Sequence, residues 1–213
     1  MNPRITPVHG WGYDATLWRE VMPLLAGLDV EVADLDFFGH PSLPTSCEAP
    51  RIAVGHSLGA LWWLALANLP WTKLVAINGF PRFTAAPDFP HGVAPRVLER
   101  MRKRFATAPA AVLADFQAAC GGTGPALPDD PGPLAQGLAT LAEADARAAL
   151  DQRRPDVFAL AARKDAIVPA TMSEAAFAAL PAGRLRWIDD GCHLLPLTHP
   201  RECAELIREA GAA

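Results

Sequence analysis

Residues 52–60, Ile-Ala-Val-Gly-His-Ser-Leu-Gly-Ala, constrain this chain more than any other stretch. A short apolar run ends in Gly-x-Ser-x-Gly and passes at once into an apolar segment with small residues at its start. A buried strand, a tight turn and a packed helix account for that pattern, and the turn lifts the serine hydroxyl clear of the sheet. Gly55 and Gly59 fit because a side chain at either place would strike the neighbouring strand or helix. Leu58 follows the serine, so its backbone N–H lies at a helix N-terminus, where negative charge is stabilised. A serine that merely caps a helix would fit these five residues alone. Their surroundings decide between the two readings.

Strand-type runs alternate with helical segments, which predicts an α/β fold with a mostly parallel sheet and helices on both faces. Strands are expected at residues 5–8, 30–35, 51–54, 73–78, 156–162 and 184–188. Helices are expected at 16–25, 58–69, 171–180 and 200–210, the first capped by Asp14 or Thr16. Residues 41–50 carry several prolines and no helical period, close to the shortest connection that can cross between parallel strands. From Gly79-Phe80-Pro81 the texture changes. Residues 81–154 hold helical segments and no clear strand, with breaks at 121–125 and 128–133. The expected organisation is a core of residues 1–80 and 155–213, with a helical cap of residues 81–154 over the carboxyl end of the sheet.

Composition narrows the functional classes. The 213 residues fit one domain, and 51% hydrophobic with 20% charged residues is an ordinary globular balance. A net charge of −4 and a pI near 5.8 argue against general nucleic-acid binding. No apolar run approaches the roughly 20 residues of a membrane span. The first residues lead straight into a strand without a signal-peptide pattern, so the expected location is the cytoplasm. Cys47, Cys120, Cys192 and Cys203 lack Cys-x-x-Cys spacing, which suits free thiols in a reducing compartment better than disulfides or a metal site.

In open α/β sheets, the loops beyond the carboxyl ends of the strands build the site. Ser57 lies in one such loop. Asp165 follows the strand at 156–162 and His193 follows the strand at 184–188, in the order serine, aspartate, histidine. A serine hydroxyl is a weak nucleophile at neutral pH, and a neutral imidazole can take its proton during attack. A carboxylate on the other ring nitrogen fixes the tautomer and stabilises the imidazolium. Taken singly, His193 fits an ordinary loop histidine and Asp165 a turn residue; the ordered trio in matched loops favours a triad. The second oxyanion donor is expected after the first strand, in His9-Gly10-Trp11-Gly12, from the Trp11 N–H paired with that of Leu58.

Other candidates fit less well. His56 should point away from the attacking face of the serine, and His9 should buttress its loop. His40 and His91 lack a strand-end partner, and His199 sits at a helix start. Asp189 and Asp190 suit a turn, while Asp156 lies at the wrong end of its strand.

His9-Gly10-Trp11-Gly12, Gly55-His56-Ser57-Leu58-Gly59, Asp165-Ala166-Ile167-Val168-Pro169 and Gly191-Cys192-His193 together resemble the α/β-hydrolase superfamily. A narrower resemblance is to the pimeloyl-[acyl-carrier protein] methyl ester esterases of biotin synthesis. Trp11, Trp18, Phe83-Thr84-Ala85, residues 88–93, 97–116 and 193–203 carry it. That resemblance implies a methyl ester substrate on acyl carrier protein, with Trp11, Ser57, Leu58, Phe116 and His193 lining the site. The chain departs from the family in the short 41–50 connection and in a cap cut down around 121–133. Ala111 and Asp115 also stand where the family tends to carry arginines; Arg96, Arg100, Arg102, Lys103 and Arg104 offer a different basic surface, or a solvated helix face. The expectation is a serine carboxylesterase needing no metal or organic cofactor. A general short-acyl esterase, a thioesterase and a non-catalytic binding module are the alternatives.

Overall fold

The computed structural model describes residues 2–39 and 41–213, so Met1 and the His40 considered above lie outside the described residues. Six strands make one parallel sheet: β1 Arg4–Val8, β2 Asp29–Val30, β3 Arg51–His56, β4 Lys73–Ile77, β5 Val157–Ala162 and β6 Leu185–Ile188. Their order across the sheet is β2-β1-β3-β4-β5-β6. Every residue of β3 and β5 is buried, which explains why these strands read as unbroken apolar runs.

Period-two alternation divides the strand side chains between the two faces. Ala53, Ala76 and Ala159 point to one face with Leu74 and Val157, and this face packs with Ala60 of α1 Leu58–Ala65. Ile52, Val54, Val75, Ile77, Phe158 and Leu160 point to the other. They pack with Leu206, Ile207 and Ala210 of α8. Four helices lie between β4 and β5: α2 Pro95–Phe105, α3 Pro109–Ala119, α4 Gly132–Glu143 and α5 Arg147–Arg153. After β5 come α6 Ala170–Phe177, then α7 Leu195–Thr198 and α8 Pro200–Ala212 beyond β6. A separate apolar cluster joins Leu98 and Phe105 of α2, Val112 and Leu113 of α3 and Leu134, Leu138 and Leu141 of α4 to Trp11 and Leu58. No helix among the described residues is long and apolar enough to cross a membrane.

Several expectations are corrected. The helix expected at 16–25 is two 3-10 turns, Ala15–Trp18 and Met22–Leu25, because Pro23 has no N–H with which to continue an α-helix. Asp14 does cap the first turn, accepting from Thr16 N at 2.9 Å. The strand expected at 30–35 shrinks to β2, with further isolated bridges from Ala33 to Val8 and from Asp34 to Ser42. The helix expected to reach residue 69 stops at Ala65, and α7 was not foreseen.

The short connection into β3 has no helix, and a polar nucleus holds it instead. The buried Arg51 guanidinium donates to Thr6 Oγ1 at 2.6 Å, to Glu31 Oε2 at 3.2 Å and to the Thr45 carbonyl. Glu31 Oε1 in turn accepts from Thr45 N and Oγ1. Burial alone would raise the Glu31 carboxyl, but the bonds from Thr45 and Arg51 hold it below its ordinary range.

Asp34 performs the same service beside β1. Its carboxylate accepts from Ala15 N at 2.8 Å and Asp36 N at 2.9 Å, and His9 Nε2 lies 3.4 Å away. Burial pushes this carboxyl up, yet the bonds from the Ala15 and Asp36 N–H groups oppose it and the group titrates below its ordinary value. A depressed folded pKa contributes stability that is complete above the unfolded value of about 4 and is lost as pH falls through the folded value. Urea unfolding should therefore show Asp34→Asn less stable by about 1–3 kcal/mol at pH 7. The gap to wild type should close as pH drops below about 4.

Candidate active site

β3 delivers Ser57 to the carboxyl edge of the sheet in a strained conformation, φ 53° and ψ −121°, which few non-glycine residues adopt. Its N–H donates to the Ile77 carbonyl at 3.0 Å, and its carbonyl accepts from Ala60 N at 3.0 Å. The turn works only with glycine on both sides. A Cβ on Gly55 would stand 2.3 Å from Ala60 N, and one on Gly59 would stand 2.4 Å from the Val8 carbonyl oxygen. Both obstacles are backbone, so they cannot rotate away. Gly55→Ala should thus lower stability by about 3 kcal/mol or more through overpacking, read as a lost or strongly shifted thermal transition.

His193 and Asp165 meet in the loops after β6 and β5. His193 Nδ1 and Asp165 Oδ2 are 2.7 Å apart, and both side chains are 1% exposed. The other carboxylate oxygen accepts from Ile167 N at 2.8 Å and Val168 N at 2.9 Å. One oxygen is thereby committed to the backbone turn and the other to the imidazole. A carboxylate facing Nδ1 places the ring proton there and leaves Nε2 as an acceptor.

The loop after β1 lies against the serine, since a Cβ on Gly10 would come within 2.9 Å of Ser57 Cβ. His9 is fully buried beneath this loop, its Nδ1 2.9 Å from the Gly10 carbonyl and its Nε2 accepting from Leu35 N at 3.0 Å. The Trp11 indole is also buried and donates to the Leu134 carbonyl of α4 at 2.7 Å. Gln117 of α3 donates to the Gly12 carbonyl at 3.1 Å. Both contacts tie the loop to the helices above it, and neither was foreseen, because sequence spacing does not reveal pairs more than 100 residues apart.

Phe116 stands edge-on to Trp11 with ring centres 4.8 Å apart, and 6.4 Å from the His193 ring. It also lines an apolar groove of about 380 Å³ with Phe83, Val93, Met101 and Ile167. A neighbouring hollow of about 280 Å³ shares Phe116 and Met101 and is rimmed by Arg100, Arg104 and Asp115.

The remaining candidates have other partners. Asp156 precedes β5 and pairs with Lys73 and Arg153. Asp190 faces His199 at 3.3 Å, and Asp189 faces Arg163 at 3.9 Å. His91 is exposed. His56 is buried, with its ring centre 4.8 Å from that of His193. Of the basic residues on α2, Arg102, Lys103 and Arg104 pair with Glu143, Glu99 and Asp115. All four cysteines are free.

No family model matches the chain. Among solved structures, a bromoperoxidase from Bacillus anthracis superposes with a TM-score of 0.80 at 18% identity, covering 100% of this chain and 93% of that one. A hydrolase from Oleispira antarctica gives 0.77 at 17% identity, covering 100% and 92%. With the parallel sheet and its strand-turn-helix serine, these likenesses define an α/β-hydrolase fold. Relatives at higher identity narrow the class. A pimeloyl-[acyl-carrier protein] methyl ester esterase from Aromatoleum aromaticum is 32% identical over 98% of both chains. The biotin biosynthesis bifunctional protein BioHC of Cellvibrio japonicus is 30% identical over 98% of this chain, which spans only 47% of that longer protein. The chain belongs to the pimeloyl-[acyl-carrier protein] methyl ester esterase family. The alignment to the Aromatoleum relative runs over 246 positions against 213 residues here, so this chain lacks segments that its relative carries.

Proposed function

We propose that the chain is a serine carboxylesterase acting on the methyl ester of a pimeloyl group borne by acyl carrier protein. The buried Asp165–His193 pair at 2.7 Å, beside the strained Ser57 turn, is the observation that carries this reading. Ser57 Oγ attacks the ester carbonyl and gives its proton to His193 Nε2, while Asp165 holds the Nδ1 proton and stabilises the imidazolium. The N–H groups of Trp11 and Leu58 receive the oxyanion. His193 then protonates the departing methoxy oxygen, so methanol leaves, and afterwards activates water, which releases the acid from Ser57. Every step uses groups of the chain, the ester and water, and calls on neither metal nor organic cofactor.

Residues 81–154 serve as a cap over a core of residues 1–80 and 155–213, and the Phe116 groove receives the acyl chain. Arg96 and Arg100 stand exposed on α2, and among the described residues no carboxylate lies within 4 Å of either. They suit an acidic carrier protein meeting the enzyme in the cytoplasm.

A fluorophosphonate probe should label the wild type and not Ser57→Ala; labelling that persists in the variant would sink the nucleophile assignment. Complementation of a biotin auxotroph lacking this esterase tests the substrate. No growth despite soluble, probe-reactive protein would point to a general short-acyl esterase or thioesterase instead.

A further inference from the structure

Two side chains outside the triad converge on the backbone of the proposed base. The His193 carbonyl accepts from His56 Nε2 at 2.8 Å and from Asn78 Nδ2 at 2.9 Å. The same Asn78 amide nitrogen donates to the preceding carbonyl, that of Cys192, at 3.0 Å. Its oxygen accepts from Ala162 N at 2.8 Å. The partners settle the amide's orientation, because a carbonyl can only accept and a backbone N–H can only donate. Both side chains are buried, and Asn78 is held at φ 44°, a conformation that asparagine tolerates better than most residues.

These bonds close a loop around the reacting groups. His56 is the residue before Ser57 on β3. Asn78 directly follows β4, and Ala162 ends β5 three residues before Asp165. Residues 189–194, which bear His193, lie outside strand and helix, and Gly191 among them accepts from Lys164 N at 3.1 Å. His56 fastens the same segment to the strand of the nucleophile, and Asn78 fastens it to the strand of the acid. His56 must carry its proton on Nε2, since it faces a carbonyl, and its buried Nδ1 has no partner. Burial and the neighbouring His193 push its pKa well down, so it remains a neutral donor.

We infer that His56 and Asn78 are positioning residues that fix the main chain carrying His193 relative to the strands that carry Ser57 and Asp165. This rests on the reading of Ser57, His193 and Asp165 as the triad. Neither residue touches substrate or exchanges a proton in the reaction. Each fixes the main chain from which the imidazole projects, and displacement of a catalytic group by about 1 Å can cost about a hundredfold in rate.

The test uses the purified full chain with p-nitrophenyl butyrate and a fluorophosphonate probe. His56→Leu and Asn78→Ala should each lower kcat by about ten- to a hundredfold with KM within about twofold. His56→Gln, which can present an N–H near the position of Nε2, should recover to within about fivefold of wild type. Asn78→Asp should not recover, because a carboxylate has no N–H to give to two carbonyls. In proton NMR, the low-field Nδ1–H signal of His193 should shift or broaden in His56→Leu while the rest of the folded spectrum persists. Full kcat in folded His56→Leu and Asn78→Ala overturns the positioning role, as does an unchanged Nδ1–H signal. Equal losses in His56→Gln and His56→Leu overturn it for His56 even if the leucine variant folds poorly. Labelling that survives Ser57→Ala overturns the triad reading itself; Ser57-dependent labelling with full kcat in the folded variants overturns only the positioning role.

Discussion

Ser57→Ala should lower kcat for ester hydrolysis by roughly 10⁶-fold, the scale seen when a serine hydrolase loses its nucleophile. The substitution removes one oxygen and leaves the backbone of the turn as it is. The Ser57 N–H bond to Ile77 and the carbonyl bond from Ala60 are main-chain contacts that alanine keeps. Thermal unfolding should therefore change little, which separates a chemical loss from a structural one. Once the hydroxyl is gone, adding Asp165→Asn should cost almost nothing more, because groups that act as a unit fail as a unit. A fall below tenfold in the single variant would mean that the hydroxyl is not the attacking group.

Asp165→Asn should cost roughly 10⁴-fold in kcat. The backbone turn predicts how the amide will sit. Ile167 N and Val168 N both donate to Oδ1, so the asparagine oxygen will keep that position and its NH₂ will face His193 Nδ1. A donor facing Nδ1 drives the imidazole proton to Nε2, and the ring can then no longer accept from serine. The variant should fold normally, since the turn retains its acceptor. Steady-state kinetics beside a thermal melt decides the matter, and near-wild-type kcat would remove Asp165 from its assigned role.

The parts of the site legible in sequence were those written in local chemistry. Gly55 and Gly59 mark the turn because a Cβ at either meets backbone, a constraint that glycine spacing records directly. The buried strands β3 and β5 were legible as apolar runs, and the strand-end rule carried Asp165 and His193 to the same edge. Harder to see was anything decided by partners far along the chain. Asn78 looked like the polar end of a strand, yet its amide spans three elements through contacts more than 80 residues away. Arg51 looked like the charged start of a strand, and it is the hub that replaces a helix. The 16–25 region failed for a local reason: its apolar spacing was helical, but Pro23 removed the N–H on which an α-helix depends.

The bond from the Trp11 indole to the Leu134 carbonyl has a mechanical consequence. Any displacement that lifts α4 from the sheet must either break this bond or drag residues 10–12 along with it. Under the proposed assignment, those residues include an oxyanion donor. Raising the roof would then dismantle the machinery beneath it, and a lifted α4 and a complete oxyanion site become mutually exclusive states. An enzyme wired in this way would idle when open, without a separate latch to switch it off.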